Sequence, residues 1–82
     1  MQTKPLNQDL YKYLTKRNLK KKFIKQLNIF LENPSYPSLK TEVLEPKDLK
    51  IYSFRIDKKY RAIFIFIKSD LIEIIDINDH YK

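Results

Sequence analysis

At 82 residues with a formal net charge of +7, the chain is one small domain, near the size at which a single hydrophobic core is just sufficient. The absence of cysteine excludes a disulfide framework and a thiolate metal site, and one histidine cannot build a histidine-rich metal cluster, so only carboxylates remain to hold Mg²⁺ weakly. Neither a signal peptide nor a long uncharged apolar run is found, so the expectation is a cytoplasmic protein with no membrane contact, no metal and no cofactor.

The excess charge belongs to the N-terminal third. Residues 1–31 hold eight Lys/Arg and one acid, Asp9, whereas residues 32–82 hold nine of each sign and sum to zero. That asymmetry suits a polyanion or an acidic protein partner, and a lysine-rich solvated helix face accounts for it equally well. Residues 6–17 read as a helix, with Leu6, Leu10, Tyr13 and Leu14 on one face and Asn7 as its cap. A second helix is predicted over residues 19–32. Its apolar residues Leu19, Phe23, Leu27, Phe30 and Leu31 recur at spacings of four and three, with Lys20, Lys21, Lys22 and Lys25 largely outside the stripe. Asn33-Pro34 ends it, because the residue before proline is pushed out of the α region. A turn near Arg17-Asn18 makes residues 1–33 a helical hairpin.

Residues 34–50 follow as a loop that opens on the stiff segment Pro34-Ser35-Tyr36-Pro37-Ser38-Leu39. Three strands then fill residues 51–82. Residues 51–57 alternate, placing Tyr52, Phe54 and Ile56 on one face and Ser53, Arg55 and Asp57 on the other. Residues 59–68 are nearly all apolar, the pattern of a central strand covered on both sides. Residues 71–77 form the third, with short turns at Asp57-Lys58 and Ser69-Asp70. The chain has no glycine, so any turn that needs positive φ must use Asn, Asp, Lys or Ser at a cost. The fold class is α+β: one domain over residues 1–82, an N-terminal helical hairpin packed on a small antiparallel meander sheet, with the other sheet face carrying Arg55 and whatever the C-terminus brings beside it.

Several residues on that framework suit chemistry. Arg61 interrupts a run in which its neighbours are apolar or aromatic, and a charge there is costly unless paired or set in a polar cleft. A salt bridge to Asp57, Glu73 or Asp76 is one explanation and an anion site is the other. Arg55 lies on the polar face of the preceding strand, where simple exposure also explains it. His80 and Tyr81 follow the last strand. As a frayed tail they have no role. As site residues they supply an imidazole that exchanges protons near neutral pH and a ring that stacks on a base. Glu42 is either a solvated carboxylate or a proton acceptor. Arginines for a phosphate and an imidazole for proton transfer are the groups needed to cut RNA without a metal.

The order of helical hairpin, proline loop, Tyr52-Ser53-Phe54-Arg55-Ile56-Asp57-Lys58-Lys59-Tyr60-Arg61-Ala62-Ile63-Phe64 and a closing Asp79-His80-Tyr81-Lys82 resembles the RelE/ParE superfamily of bacterial type II toxins. Within it, Arg55, Arg61 and His80-Tyr81 are most similar to the YoeB/Txe branch of ribosome-dependent mRNA interferases. The resemblance implies an α+β toxin of the bacterial cytoplasm that enters the ribosome and cuts mRNA by 2′-OH attack. It implies Arg61 as the main phosphate-binding arginine, Arg55 as its support, His80 as general acid to the 5′-oxygen, Tyr81 stacking on or orienting the mRNA, and Glu42 as general base. Lys20, Lys21, Lys22 and Lys25 would contact ribosomal RNA. The implied partners are the ribosome, mRNA and a cognate antitoxin with an acidic segment, in a homodimer or a toxin–antitoxin hetero-oligomer. Three departures stand out: residues 1–5 are too short and polar to read as the strand that usually precedes the first helix, Lys50 replaces a frequent glycine, and Lys82 extends past the tyrosine. ParE-like members poison DNA gyrase instead, and a fold relative that only binds antitoxin is a third reading. Convergence of Arg55, Arg61 and His80 in one cleft would separate the nuclease from both.

Overall fold

The computed structural model describes residues 1–79. Helix α1 (Gln8–Lys16) begins after Asn7, whose backbone is extended and whose side chain accepts a 2.8 Å hydrogen bond from the Leu10 N–H, a cap that typically contributes about 1 kcal/mol. Helix α2 (Lys20–Glu32) follows a turn in which Asn18 takes φ 59°. It ends at Asn33, one residue before Pro34, as the sequence required. A short 3₁₀ turn (Pro37–Leu39) shapes the loop beyond.

The sheet has five strands rather than the expected three. Strands β1 (Gln2–Thr3), β2 (Glu42–Val43), β3 (Tyr52–Arg55), β4 (Arg61–Lys68) and β5 (Leu71–Asn78) lie in the order β1-β5-β4-β3-β2. The β2-β3-β4-β5 run is an antiparallel meander, and β1 joins β5 in parallel. Residues 1–5, short and polar as they are, therefore do contribute a strand. Backbone hydrogen bonds hold it, from the Gln2 N–H to Asp70 O at 2.7 Å and from the Lys4 N–H to Ile72 O at 2.9 Å. Neither needs an apolar side chain.

Both helices cover one face of the sheet. Phe30 stacks on Phe54 at 5.3 Å between ring centroids and meets Phe64 edge-on at 4.8 Å, while Leu10, Leu14, Leu19 and Phe23 complete the core with Ile56, Ala62, Ile74 and Ile77. Only the first half of β4 is covered on both sides, since Phe66 and Ile67 are exposed beyond the reach of the helices. Positive φ falls on Asn18, Lys40 and Lys50, the residue types a glycine-free chain must use. Lys50, at φ 55°, thus adopts a backbone geometry that favours glycine.

Candidate functional site

Pairing register places the site. Glu42 on β2 lies opposite Ser53, Arg55 on β3 opposite Arg61, and Arg61 on β4 opposite Asn78 of β5. Directly paired residues share a face, and alternate residues along a strand share it too, so Glu42, Ser53, Arg55, Arg61 and Asn78 form one polar group. Phe54 and Ala62, one residue away, point into the core under the helices. The site therefore occupies the sheet face opposite α1 and α2.

Arg61 is 7 % exposed, and its guanidinium is held by fixed acceptors. Its Nε donates to Ser53 Oγ at 2.9 Å, and one terminal nitrogen donates to the Lys40 carbonyl and, at 3.4 Å, to the Ser53 carbonyl. The same nitrogen lies 4.0 Å from Glu42 Oε2. Among the described residues, Glu42 is a carboxylate neighbour of Arg61. Asp57 accepts from the Lys59 and Tyr60 N–H groups at 2.8 Å and pairs with Lys22, and Glu73 lies opposite Ile65, four residues along β4. Burial pushes the Arg61 pKa below its ordinary value and Arg55 adds to this, while Glu42 opposes both. An arginine remains charged under such shifts, so the result is a partly desolvated cation beside a carboxylate whose side chain is 46 % exposed.

Ser53 and the Lys40 backbone are the participants that sequence reasoning missed. Ser53 is fully buried, and alternation had placed it on the Arg55 face, which was the available signal. The Lys40 carbonyl has no counterpart in composition. Lys40 takes a left-handed conformation, φ 44° and ψ 49°, at the end of the 3₁₀ turn.

Glu42, Arg55 and Arg61 are therefore brought together. His80 and Tyr81 lie outside the described residues. The chain leading to them is placed: Asn78 is opposite Arg61, and Asp79 lies 3.8 Å from Lys59. The lysines of α2 do not join this group, because α2 packs on the other face. Lys20 donates to the Tyr11 hydroxyl at 2.7 Å, which holds that phenol below its ordinary pKa, and Lys22 pairs with Asp57 at 3.5 Å. Lys21 and Lys25 each stand two residues from Phe23, about 200° around the helix, and so point away from the sheet.

No protein-family model matches the sequence, and no curated protein matches it. Solved structures do. A YoeB/ParE toxin from Agrobacterium tumefaciens aligns with a TM-score of 0.72 at 20% identity, covering 96% of this chain and 95% of that one. A heterotetrameric YoeB-YefM toxin-antitoxin complex from Staphylococcus aureus gives 0.69 at 24% identity, with coverages of 98% and 94%. Another YoeB-YefM complex from that organism gives 0.70 at the same identity and coverages. The chain shares the α+β fold of these structures, two helices on a mixed five-stranded sheet.

Proposed function

We propose that this protein is the toxin of a type II toxin–antitoxin pair and that it cuts mRNA on the ribosome by 2′-OH attack, without a metal. The observation that supports this reading best is the meeting of Arg61, Arg55 and Glu42 on the sheet face away from the helices, on a YoeB-like fold, at the end of the sheet where β5 leads toward His80.

In this reading Arg61 grips the scissile phosphate and Arg55 shares the charge that builds on its oxygens. Glu42 takes the proton from the 2′-hydroxyl, whose oxygen then attacks phosphorus. A base beside the phosphate-binding cation suits this step, because the 2′-hydroxyl neighbours the phosphate it attacks. As the P–O5′ bond breaks, His80 gives its proton to the leaving oxygen, and Tyr81 orients the mRNA. The products are a 2′,3′-cyclic phosphate and a 5′-hydroxyl. Ser53 and the Lys40 carbonyl keep the Arg61 guanidinium in one orientation before the substrate arrives.

Lys20, Lys21, Lys22 and Lys25 would contact ribosomal RNA, and a cognate antitoxin with an acidic segment would neutralise the free protein in the bacterial cytoplasm. Among the described residues, no helix is long and apolar enough to cross a membrane.

The test is induction of the wild type and of Arg61→Ala, with growth and mRNA 5′ ends followed together. Growth arrest with new ends in translated messages, both lost in the variant, is the expected result. Arrest with intact mRNA and blocked gyrase supercoiling would make it a gyrase-inhibiting toxin. Neither effect, with antitoxin binding retained, would leave an inactive fold relative.

A further inference from the structure

Between α2 and β2 the chain encloses a surface groove of about 500 Å³ lined by Pro34, Ser35, Tyr36, Pro37, Lys40 and Thr41. We propose that this groove is a subsite for the nucleotide flanking the scissile phosphate, its base against Tyr36 and its phosphate at Lys40. The inference rests on the RNA-cleaving reading above and extends that site along the substrate.

Contiguity is the first argument. Lys40 lines the groove, and its carbonyl is a hydrogen-bond acceptor of Arg61, so groove and arginine share one residue as a wall. A strand of RNA held at Arg61 continues to either side, and this groove opens on one of them. The second argument is chemical. Among the described residues the lining contains a cation and no acid, together with a tyrosine that is 48 % exposed. Half of that tyrosine's surface thus meets solvent, and an exposed ring is how single-stranded nucleic acid is commonly held.

The third argument is rigidity. Leu39 is fully buried, Gln26 donates to the Ser38 carbonyl, Thr41 Oγ1 donates to the Pro34 carbonyl at 3.1 Å, and Asn33 Oδ1 accepts from the Ser35 N–H at 3.2 Å. Two prolines fix further backbone angles. The loop is thus already shaped, and little ordering would be needed on binding. Finally, Lys40 holds a left-handed conformation that favours glycine, which lets its side chain be removed without harming the fold.

The experiment uses the full chain and a hexanucleotide of single-stranded RNA, 2′-O-methylated throughout so that it cannot be cleaved. Binding is titrated at several salt concentrations for the wild type, Tyr36→Ala, Lys40→Gly, Arg61→Ala and Lys50→Gly, and KM and kcat for mRNA cleavage on programmed ribosomes are measured alongside. Tyr36→Ala should weaken hexanucleotide binding about tenfold, within the range for loss of one stacked base. Lys40→Gly should weaken binding and reduce the slope of log affinity against log salt by about 0.7, the share of one phosphate contact on a single strand. Both should raise KM more than they lower kcat. Lys50→Gly relieves the same backbone conformation away from the groove and should leave binding unchanged, while both glycine variants keep or raise the melting temperature.

Binding that depends on Arg61 but is unaltered by Tyr36→Ala and Lys40→Gly would overturn the subsite and leave the nuclease reading standing. Loss of an acidic protein partner with hexanucleotide binding intact would overturn it in favour of a peptide groove. Failure of the wild type both to bind the hexanucleotide and to cleave mRNA would overturn the subsite and the parent reading together.

Discussion

Arg55 and Arg61 face each other directly across the β3–β4 ladder, two guanidinium groups at one register position of neighbouring antiparallel strands. Like charges so placed oppose folding by about 0.2–1 kcal/mol. A polyanion bound between them relieves that opposition. Arg55→Gln should therefore leave thermal stability unchanged or slightly higher while slowing cleavage, by less than the about 10²–10³-fold expected for the main donor. A variant less stable than the wild type would show that Arg55 serves the fold, and denaturant titration beside a single-turnover assay separates the two.

Arg61 should behave differently because its contacts are buried. Arg61→Ala leaves Ser53 Oγ and the Lys40 carbonyl without this donor, which is expected to cost about 1–3 kcal/mol of stability. Cleavage should fall about 10²–10³-fold at temperatures where the variant is still folded. Arg61→Lys keeps the charge but not the planar fork, so it should rescue little. Cleavage by the wild type should survive EDTA once ribosome integrity is separately maintained, since the proposed cation is this arginine. Restoration by added Mg²⁺ of activity lost to EDTA would count against that assignment.

The prediction for His80 concerns pH. A general acid must be protonated to act, so the rate should fall as pH rises through the imidazole range near about 6.5. His80→Gln should slow cleavage about 10²–10⁴-fold, keep ribosome binding and flatten that alkaline limb. An unchanged rate and profile would remove the histidine from the mechanism.

Asp57 offers a test of the fold that is independent of activity. Burial pushes its carboxyl pKa up, but hydrogen bonds from the Tyr60 and Lys59 N–H groups, with Lys22, outweigh this and hold it below the ordinary value. A depressed carboxylate contributes stability that is present above its unfolded pKa and lost as pH falls through the folded one. Asp57→Ala should destabilise the protein by about 1 kcal/mol at pH 7, with the gap to the wild type narrowing below about pH 4. A gap that stays constant with pH would assign the loss to the turn backbone instead.

The elements that the sequence made legible are those with an apolar period: α1 and α2, and β3, β4 and β5. Strands β1 and β2 were not visible because each is two residues long and held through the backbone, as Gln2 is by Asp70. Arg61 stood out as a charge in an apolar run, yet its acceptors did not, because a serine hydroxyl and a main-chain carbonyl leave no mark of charge complementarity. Glu42 was legible as a possible proton acceptor but not as a neighbour of Arg61, which follows from the pairing of β2 with β3. The α2 lysines were readable as a basic surface, but their separation from the arginines follows only from which sheet face the helices cover.

That separation gives the molecule two positive sides. A helix is about 10 Å across, and it rests on a sheet whose far face bears the arginines, so Lys21 and Lys25 stand roughly 15–20 Å from them. The screening length in cellular salt is about 8 Å, so each side attracts anions almost independently of the other. A flat polyanion can therefore engage the helix lysines or the arginines, but not both at once. Engaging both at once would take anionic groups on two opposing walls, a geometry that no single flat surface offers.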